Sequence, residues 1–278
     1  MAYQKVDTKE IGLDMGLVFM KFFLKTEYLH YGFWTSDMPV DVLNFRQAQE
    51  NYTQQLLENI PESVKTILDV GCGSGKVAEQ LLAKGYQIEA VSPSSRLTEY
   101  AKKLLNNQVH IYENIYEEAP IQKTYDMVLF SESFQYIDMH KLFQNALKHL
   151  NPNGYVLICD FFQRDGLSGS PLGGGHKLGE YYQVLAQYPF EVLKDQEITD
   201  NIAPTMQVVN DLTLQVVQPL WYMLIDVVSV KVPFIARVLK WWFRKKIEKI
   251  QNKHFKGERN PENFKKFKSY RLILLQKK

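Results

Sequence analysis

Short apolar runs alternate with amphipathic segments along the middle of the chain. The runs are rich in β-branched and aromatic residues and are bounded by turn residues, which predicts strands at 66–70, 87–91, 109–112, 126–130 and 155–161. The segments between them repeat their apolar positions at helical spacing, which predicts helices at 76–84, 96–106 and 140–150. Strands that alternate with helices predict a parallel, doubly wound α/β sheet.

Helical patterns precede this alternating region. Ile11, Met15, Val18 and Phe22 follow helical spacing and form one apolar stripe, which predicts a first helix. A second helix is expected from residue 40 to about residue 59, because Pro61 follows and disfavours helix in the residue before it.

The pattern changes after the fifth strand. A glycine-rich loop follows at 163–176, and two further strands are predicted at 190–198 and 269–276. The long and mostly helical stretch between those strands is expected to form a cap rather than a turn. We therefore expect four parts, which are an N-terminal helical lid (1–60), an α/β core (61–200), a helical cap insertion (201–265) and a closing strand of the core (266–278).

Charge is distributed unevenly along the 278 residues. The net charge is +2, yet the last 48 residues, from Lys231, carry 16 basic and three acidic side chains, so the preceding part is net acidic. The basic helical run at 232–255 contains Trp241, Trp242 and Phe243, which is typical of a helix that binds a membrane surface. An anionic membrane surface is therefore one expected partner, and a cap helix packed on the core is the alternative.

Other classes of partner and location are less favoured. No recognition module accompanies the basic run, so nucleic acid is not expected to bind. The uncharged stretch 212–225 contains Pro219 and is too short to span a bilayer. The chain starts without a basic region followed by an apolar run, so we expect a cytoplasmic protein, with the inner membrane face as its docking site. Cys72 and Cys159 have no metal-ligand partners at useful spacing, and we predict no metal site.

A glycine loop is the strongest chemical signal. The run ILDVGCGSG at 67–75 places Gly71, Gly73 and Gly75 directly after a strand and before a helix. Glycines there allow a tight turn and let backbone N–H groups approach a ligand at the helix N-terminus. The G-x-G-x-G spacing is neither the dinucleotide pattern G-x-G-x-x-G nor a Walker loop.

This loop resembles the signature of class I S-adenosylmethionine-dependent methyltransferases. YDMVLFSESFQYI (125–137) and LKHLNPNGYVLICDF (147–161) resemble later elements of the same family. The resemblance implies a seven-stranded, Rossmann-like methyltransferase sheet that binds S-adenosyl-L-methionine. It assigns cofactor contacts to these residues: Tyr31, Asp69, Gly71, Cys72, Gly73, Gly75, Ser92, Asn114, Ile115 and Ser131.

Two of these positions depart from the family pattern or are ambiguous. Ser92 stands where the family usually has an acid that binds the ribose, and one hydroxyl replaces a bidentate acceptor. After the third strand, Asn114 is the expected partner of the adenine amino group, with Glu113 and Ile115 as alternatives.

Four residues are candidates for the chemical step. Glu132 and Tyr136 belong to the loop after the fourth strand, which the resemblance places opposite the sulfonium. His30 lies in YLHYGFW (28–34), which resembles a family segment that closes over the cofactor, and His176 follows GGG in the long loop. A histidine titrates near neutral pH and suits proton transfer.

The expected function is methyl transfer to a small apolar acceptor such as a lipid, a quinone or a polyketide-like metabolite. Two alternatives remain, a nicotinamide-dependent oxidoreductase on a related sheet and a non-catalytic binding protein with a methyltransferase fold. The missing G-x-G-x-x-G pattern opposes the first alternative, and the intact glycine loop opposes the second.

Overall fold

Seven strands form one mixed sheet in the computed structural model, which describes residues 16–278 and, for 235, 236, 239, 240, 250 and 253, the backbone alone. The strands are β1 (Thr66–Val70), β2 (Gln87–Val91), β3 (His110–Tyr112), β4 (Tyr125–Ser131), β5 (Leu150–Gln163), β6 (Phe190–Glu197) and β7 (Lys268–Lys277). Their order across the sheet is β3-β2-β1-β4-β5-β7-β6. The strands from β3 to β5 pair in parallel, and β7 pairs antiparallel with β5 and β6. The doubly wound seven-stranded fold is thus confirmed.

Helices cover both faces of the sheet. They are α1 (Phe45–Glu58), α2 (Lys76–Ala83), α3 (Ser95–Leu104), α4 (Met139–His149), α5 (Leu178–Leu185), α6 (Thr199–Ile202), α7 (Pro204–Leu212), α8 (Gln218–Lys231), α9 (Pro233–His254) and α10 (Pro261–Phe267). One buried cluster joins α1, α2 and α3 to one face of the sheet, and a second joins α4 and α5 to the other face. This three-layer packing explains why the inner strands are apolar on both faces.

The N-terminal helices differ from the expectation. Ile11 and Met15 lie outside the described residues, while Val18 and Phe22 are 70% and 66% exposed, so the described half of the predicted stripe faces solvent. The second helix begins at Phe45 and not at residue 40, because the Asp41 carboxylate accepts the Asn44 N–H at 2.9 Å and holds a turn there.

Strand β5 begins earlier than expected. It includes the NPNG segment at 151–154, whereas the strand was expected to begin at residue 155. Leu150 pairs with Tyr125 and Tyr155 pairs with Met127, so the extra residues form a bulge within the strand pair.

The cap is helical as expected, yet much of it does not pack on the core. The described side chains of α9 are exposed apart from a few half-buried ones, which argues against an apolar side packed on the core. The continuous helical run Thr199–Lys231 is also long and apolar enough to cross a membrane, and none of its most apolar window is buried. The uncharged stretch 212–225 alone thus underestimated the length of the apolar helix, because a membrane-spanning segment tolerates a few charged residues.

A half-buried carboxylate joins the amino ends of the central strands. The Asp126 carboxylate accepts hydrogen bonds from the N–H groups of Lys65 and Thr66, both at 3.0 Å, and from the Asn151 amide at 2.7 Å. Burial alone would raise the pKa of Asp126, but these hydrogen bonds outweigh it and hold the pKa below its usual value.

We expect Asp126→Ala to lower the free energy of unfolding by about 2 kcal/mol, because two backbone donors lose their charged acceptor. A carboxyl group with a depressed pKa stabilises the fold above its unfolded pKa, so the difference from wild type should vanish as the pH falls below about 4. Urea unfolding at several pH values measures this. Glu99→Ala, which removes an exposed ion pair of α3, is the control and should change the free energy of unfolding much less than Asp126→Ala does.

Candidate active site

The glycine loop occupies the carboxyl edge of the sheet between β1 and α2. Gly71, Gly73 and Gly75 all have positive φ angles, of 80°, 56° and 83°, which other residues adopt only with strain. A Cβ atom on Gly71 would lie 2.4 Å from the Ser133 Cβ, and one on Gly75 would lie 2.9 Å from the Ala101 Cβ. The sequence therefore needs glycine here for both the backbone angle and the space.

The segment 26–34, which we call the lid, lies over this loop. The Ser74 hydroxyl donates to the Glu27 carbonyl at 2.5 Å, and the Leu29 side chain covers the Cα of Gly73. The buried Gln49 amide of α1 donates to the carbonyls of Tyr28 and His30 and holds the lid from behind. The YLHYGFW segment thus lies directly against the glycines, and unlike the helical N-terminal lid expected over 1–60 it is not helical.

The far end of the lid is attached to the cap. The Trp34 N–H donates to the Asn201 carbonyl at 2.8 Å, and the Trp34 indole N–H donates to the Thr205 hydroxyl at 3.0 Å. The Gly32 N–H donates to the same hydroxyl. The lid, α6 and α7 therefore form one hydrogen-bonded unit.

Asp69 lies under the glycine loop with an unused oxygen. Burial raises the pKa of Asp69 to about 7, and its Oδ2 atom has no hydrogen-bond partner within the described part of the chain. Buried polar atoms are normally paired, so an unpaired carboxylate oxygen at this place fits a ligand with a donor group or a positive charge.

The positions expected to contact ribose and adenine differ in their burial and in their existing hydrogen bonds. The Ser92 side chain is buried at the end of β2, next to the loop whose Gly71 N–H bonds to the Val91 carbonyl. Asn114 is half-buried, and its side-chain amide is engaged within its own turn by the Ile115 N–H at 2.8 Å and the Glu118 carbonyl. Ile115 is 42% exposed. Contacts of these three residues to a ligand stay predictions.

Glu132 connects the lid to the closing strand. Its Oε1 accepts the Tyr31 N–H and the Tyr270 hydroxyl, both at 2.7 Å. Its backbone has a φ of 55°, an unusual angle for a non-glycine residue, and its N–H donates to the Cys159 carbonyl at 2.9 Å. The structure gives Oε2 no hydrogen bond to any residue from 16 to 278.

The surroundings favour the protonated form of Glu132 near neutral pH. Burial raises the pKa of Glu132 to about 8, against the lowering effect of the Tyr31 and Tyr270 hydrogen bonds, and the nearby Asp160 raises it further. Burial also raises the pKa of Asp160 to about 7. A carboxyl group with its pKa near neutrality can accept and release a proton under ordinary conditions.

Four aromatic rings from different parts of the chain pack together beside this carboxyl group. The Tyr31 ring contacts the rings of Phe161, Phe264 and Tyr270 at centroid distances of 6.4, 5.9 and 6.2 Å. We call these four residues the aromatic cluster. Its apolar surface beside a carboxyl group suits an apolar acceptor that presents one polar atom.

A chain of hydroxyl groups continues behind the cluster. The Tyr270 hydroxyl also lies 3.1 Å from the Tyr52 hydroxyl, which donates to the Cys159 carbonyl and lies 3.2 Å from the Ser131 hydroxyl. Ser131 therefore contacts this hydroxyl chain, and Cys72 is buried in the core cluster next to the loop.

Both histidine candidates hold structural positions. His30 is buried against the Tyr52 ring, its Nδ1 bonds to the Tyr31 carbonyl at 2.7 Å and its Nε2 lies 3.2 Å from the Thr53 hydroxyl. Burial lowers the pKa of His30 to about 4, so a neutral ring fastens the lid to α1. His176 donates through Nε2 to the Ile137 carbonyl and packs on Phe134, on the other face of the sheet from the aromatic cluster. The two histidines do not reach Glu132, so neither is placed as a base beside it.

Tyr136 and two residues that sequence analysis missed complete the site. Tyr136 is 79% exposed at the rim, where it contributes to the electrostatic surroundings of Tyr31. Tyr270 and Asp160 were not expected here. Asp160 is the next-to-last residue of the fifth predicted strand and accepts the Gln135 N–H at 3.1 Å, so its position near the end of that strand was the available signal. No local pattern indicated Tyr270.

The residues present fit S-adenosylmethionine. The glycine loop offers backbone close to a ligand, Asp69 offers an unpaired buried oxygen, and Ser92 offers a buried hydroxyl on the next strand. These three groups lie along adjacent strands at one edge, as an extended ligand with an amine and a sugar requires. Within the described part of the chain, no cluster of three metal-ligating side chains is present.

Comparison with known proteins gives one consistent result. A family profile described as a methyltransferase domain matches residues 44–201. The ubiquinone biosynthesis O-methyltransferase of Rickettsia akari is 28% identical over 145 residues, which cover 48% of this chain and 57% of that protein. The malonyl-[acyl-carrier protein] O-methyltransferase of Priestia megaterium is 29% identical over 182 residues, covering 55% and 66%. The chain thus spans only part of the length of these curated relatives.

A solved structure extends the likeness to nearly the whole chain. A cyclopropane synthase of Mycobacterium tuberculosis superposes with a TM-score of 0.68 at 15% identity, covering 95% of both chains. At this identity the likeness shows the fold alone. It includes segments beyond residue 201, which the family profile does not match.

We expect Gly71→Ala to weaken S-adenosylhomocysteine binding by at least about tenfold and to destabilise the fold by about 2–4 kcal/mol, because a strained φ and a clash with Ser133 add together. Calorimetry and thermal unfolding measure the two effects. Gly166→Ala is the matched control, since Gly166 has a similar φ of 73° with nothing within 4 Å of the added Cβ. It should cost only the strain and leave binding unchanged. Wild-type binding by Gly71→Ala would show that the ligand does not use this loop.

Proposed function

The chain belongs to the class I S-adenosylmethionine-dependent methyltransferases, and from this we propose that it transfers the methyl group of S-adenosylmethionine to a small apolar acceptor. The observation that carries the proposal is the position of Glu132. Its carboxyl group is held between the lid and the closing strand, beside the aromatic cluster and at the edge that carries the glycine loop.

The residues that would hold the cofactor are those of the glycine loop with Asp69 and Ser92. The unpaired Asp69 oxygen suits an ammonium group, and the loop backbone suits close approach of the amino-acid portion. When bound, S-adenosylmethionine supplies an electrophilic methyl group on a sulfonium. The lid over Gly73 excludes water from that edge and fixes the direction from which an acceptor can approach.

Glu132 is the group placed to act on the acceptor. Tyr31 and Tyr270 bind its Oε1 and fix the orientation of the carboxyl group, so Oε2 is left to face an acceptor. A hydroxyl acceptor must lose its proton during methyl transfer, and the Glu132 carboxylate can take that proton. We therefore favour an oxygen acceptor, in line with the O-methyltransferase names of the curated relatives.

We also propose that the acceptor is a lipid or a prenylated quinone precursor reached at the cytoplasmic face of an anionic membrane. The apolar rings of the aromatic cluster support an apolar acceptor. The exposed basic residues of α9, among them Arg244, Lys245, Lys246 and Lys249, support an anionic surface. Anionic lipids give the cytoplasmic leaflet a negative surface potential that attracts such segments.

The function can be tested with tritiated S-adenosylmethionine and vesicles made from total bacterial lipid extract, which supplies lipids and quinone precursors together. We expect tritium to move into the organic phase, with an initial rate that rises with pH as Glu132 deprotonates. The midpoint should lie at or below about 8, because the cationic cofactor favours the carboxylate. Tyr270→Phe removes a hydrogen bond to the carboxylate, so it should shift the midpoint to higher pH.

Two variants serve as references for this experiment. Glu132→Gln should lower the rate by at least about a hundredfold and abolish the pH dependence, because the general base is gone. Tyr52→Phe removes a neighbouring hydroxyl that does not touch Glu132 and should shift the midpoint much less. Calorimetric binding of NAD but not of S-adenosylhomocysteine would overturn the methyltransferase proposal. Label that stays in the aqueous phase would overturn the apolar acceptor.

Membrane attachment has its own test. We expect more co-sedimentation with vesicles of phosphatidylglycerol and phosphatidylcholine than with phosphatidylcholine alone. Each lysine near such a surface contributes about 1 kcal/mol, so Lys245→Glu with Lys249→Glu should weaken binding by more than about tenfold. The same reversal at Lys141 and Lys148, exposed on α4, is the control. Equal binding to both vesicle types would rule out an electrostatic contact.

A further inference from the structure

The helical hairpin formed by α8 and α9, residues 218–254, exposes an unusual amount of apolar surface. Between residues 216 and 236 the sequence contains only two charged side chains, Asp226 and Lys231. Large apolar side chains of the hairpin that are at least 40% exposed are Leu220, Tyr222, Met223, Leu224, Val227, Val228, Val230, Val232, Phe234, Val238, Trp241, Trp242 and Phe243. Soluble surfaces rarely carry a contiguous apolar patch of this extent without a partner.

Among the described side chains, the half-buried ones fall mainly in one stripe on each helix. On α8 they are Gln218, Pro219, Trp221, Ile225 and Ser229, of which all but Pro219 recur at helical spacing and therefore share one side. On α9 the half-buried residues are Ile247, Gln251 and His254, with the same spacing. The two helices are joined at Val232 and the Tyr222 and Phe255 rings meet at 6.2 Å, so these stripes face each other in an antiparallel pair.

The two flanks of the pair differ in chemistry. At 100° per residue, Leu224 and Val228 lie on one flank of the α8 stripe, while Tyr222 and Asp226 lie on the other. On α9, Phe243 and Trp242 are rotated away from the half-buried stripe in the same direction as Leu224 on α8. Trp242 lies farther from the stripe than Phe243. Because the helices run antiparallel, flanks of equal rotational sense lie on the same side of the pair. Leu220, Leu224, Val228, Trp242 and Phe243 thus form the face that we call the apolar face, in which Lys231 and Lys246 are the charged residues among the described side chains.

The opposite face, which we call the polar face, carries the acidic side chains of the pair. Asp226 comes from α8, Arg237, Arg244 and Glu248 come from α9, and Arg244 donates to Glu248 at 3.1 Å along the helix. Exposed apolar side chains also lie on this side, among them Tyr222, Phe234 and Trp241, although Trp241 is next to Trp242 in the sequence. Both acidic residues and both arginines of the hairpin are therefore on one face of the pair.

We propose that the hairpin lies in the plane of an anionic membrane with this apolar face buried at the level of the upper acyl chains. The proposal rests on the membrane attachment proposed above and adds its orientation. Asp226, Arg237, Arg244 and Glu248 remain in water, and Lys231 and Lys246, which lie within the apolar face, extend their charged ends to lipid phosphates. Interfacial helices bind in this way, with apolar side chains buried and basic ones at the headgroups.

Charge and position together favour lipid over a second copy of the chain. Lys245 and Lys249 border the polar face along the outer edge of α9, so two copies that joined their apolar faces would bring basic edges together. An anionic headgroup layer complements the same edges. A crossing orientation is less suitable, because it would place Asp226, Lys231 and Arg237 in the hydrocarbon.

The orientation also brings the proposed active site to the membrane. The chain enters the hairpin from α7, whose Thr205 binds the lid, and leaves it toward α10, whose Phe264 belongs to the aromatic cluster. Leu214 precedes the hairpin and Gly257 follows it. A Cβ on Gly257 would contact the Leu214 side chain, so the segments that enter and leave the hairpin lie next to each other. An acceptor dissolved in the bilayer would thus meet these segments next to the aromatic cluster.

The two neighbouring tryptophans provide a matched test. Full-length protein is added to vesicles of phosphatidylglycerol and phosphatidylcholine with brominated acyl chains, which quench the fluorescence of tryptophans buried among the chains. We expect strong quenching in wild type and in Trp241→Phe, and loss of most quenching in Trp242→Phe. The two side chains are 79% and 73% exposed, so neither change should disturb folding. Equal loss in both variants, or no quenching in wild type, would overturn the proposed orientation.

A second pair of variants tests the face through affinity. Leu224→Asp places a carboxylate on the apolar face and should weaken vesicle binding by at least about tenfold, because the leucine side chain that the membrane would bury is lost. Phe234→Asp adds the same charge to a 77% exposed position on the polar side of α9 and should have a much smaller effect. Equal effects would show that only net charge matters. A dimer in lipid-free solution that Leu224→Asp dissociates would instead assign the face to a second copy.

Calorimetry with S-adenosylhomocysteine separates this proposal from the proposed function. All four hairpin variants should bind it like wild type, since the hairpin does not contact the glycine loop. If wild type fails to bind, the methyltransferase proposal is wrong. If it binds but is not quenched by the lipids, only the membrane orientation is wrong.

Discussion

The antiparallel insertion of β7 between β5 and β6 is the constraint on which the rest of the structure depends. β6 runs parallel to β5, so it ends at the same edge of the sheet as the glycine loop, and β7 must start from that edge. The whole chain between Glu197 and Lys268 therefore leaves the sheet and returns to it at the edge where ligands bind. The directions of β6 and β7 therefore place the cap at the site, independently of the amino-acid sequence of the cap helices.

Glu132 depends on the same constraint. Its left-handed backbone angle is costly for a residue with a side chain, and three hydrogen bonds from different elements hold it, from its own N–H to β5, from the lid and from Tyr270 of β7. Strain that is maintained by contacts with distant elements is found where geometry matters for function. Tyr270 reaches Glu132 only because β7 begins at that edge, so the closing strand both completes the sheet and orients the carboxyl group.

Local sequence signals predicted the strands and the glycine loop, because apolar periodicity and glycine spacing are properties of short segments. They could not predict the partners of Glu132, since Tyr31 and Tyr270 are separated from it by about a hundred residues or more on either side. The histidines illustrate the opposite error. His30 was chosen for its ordinary titration near neutral pH, but burial against Tyr52 and bonds at both ring nitrogens make it a structural residue. The environment of a side chain, which decides its protonation, is set by tertiary contacts.

The cap shows why periodicity alone cannot assign a partner to an apolar surface. A helix that packs on a protein core and a helix that packs on lipid bury the same side chains at the same spacing, so the basic run at 232–255 fitted both. In the described part of the chain, α9 lies against α8, and Leu224 and Trp242 stay exposed to solvent. Exposed apolar side chains of this kind raise the free energy of the protein in water. The proposed membrane orientation would cover them, and it would bring them to the same layer into which an apolar acceptor partitions.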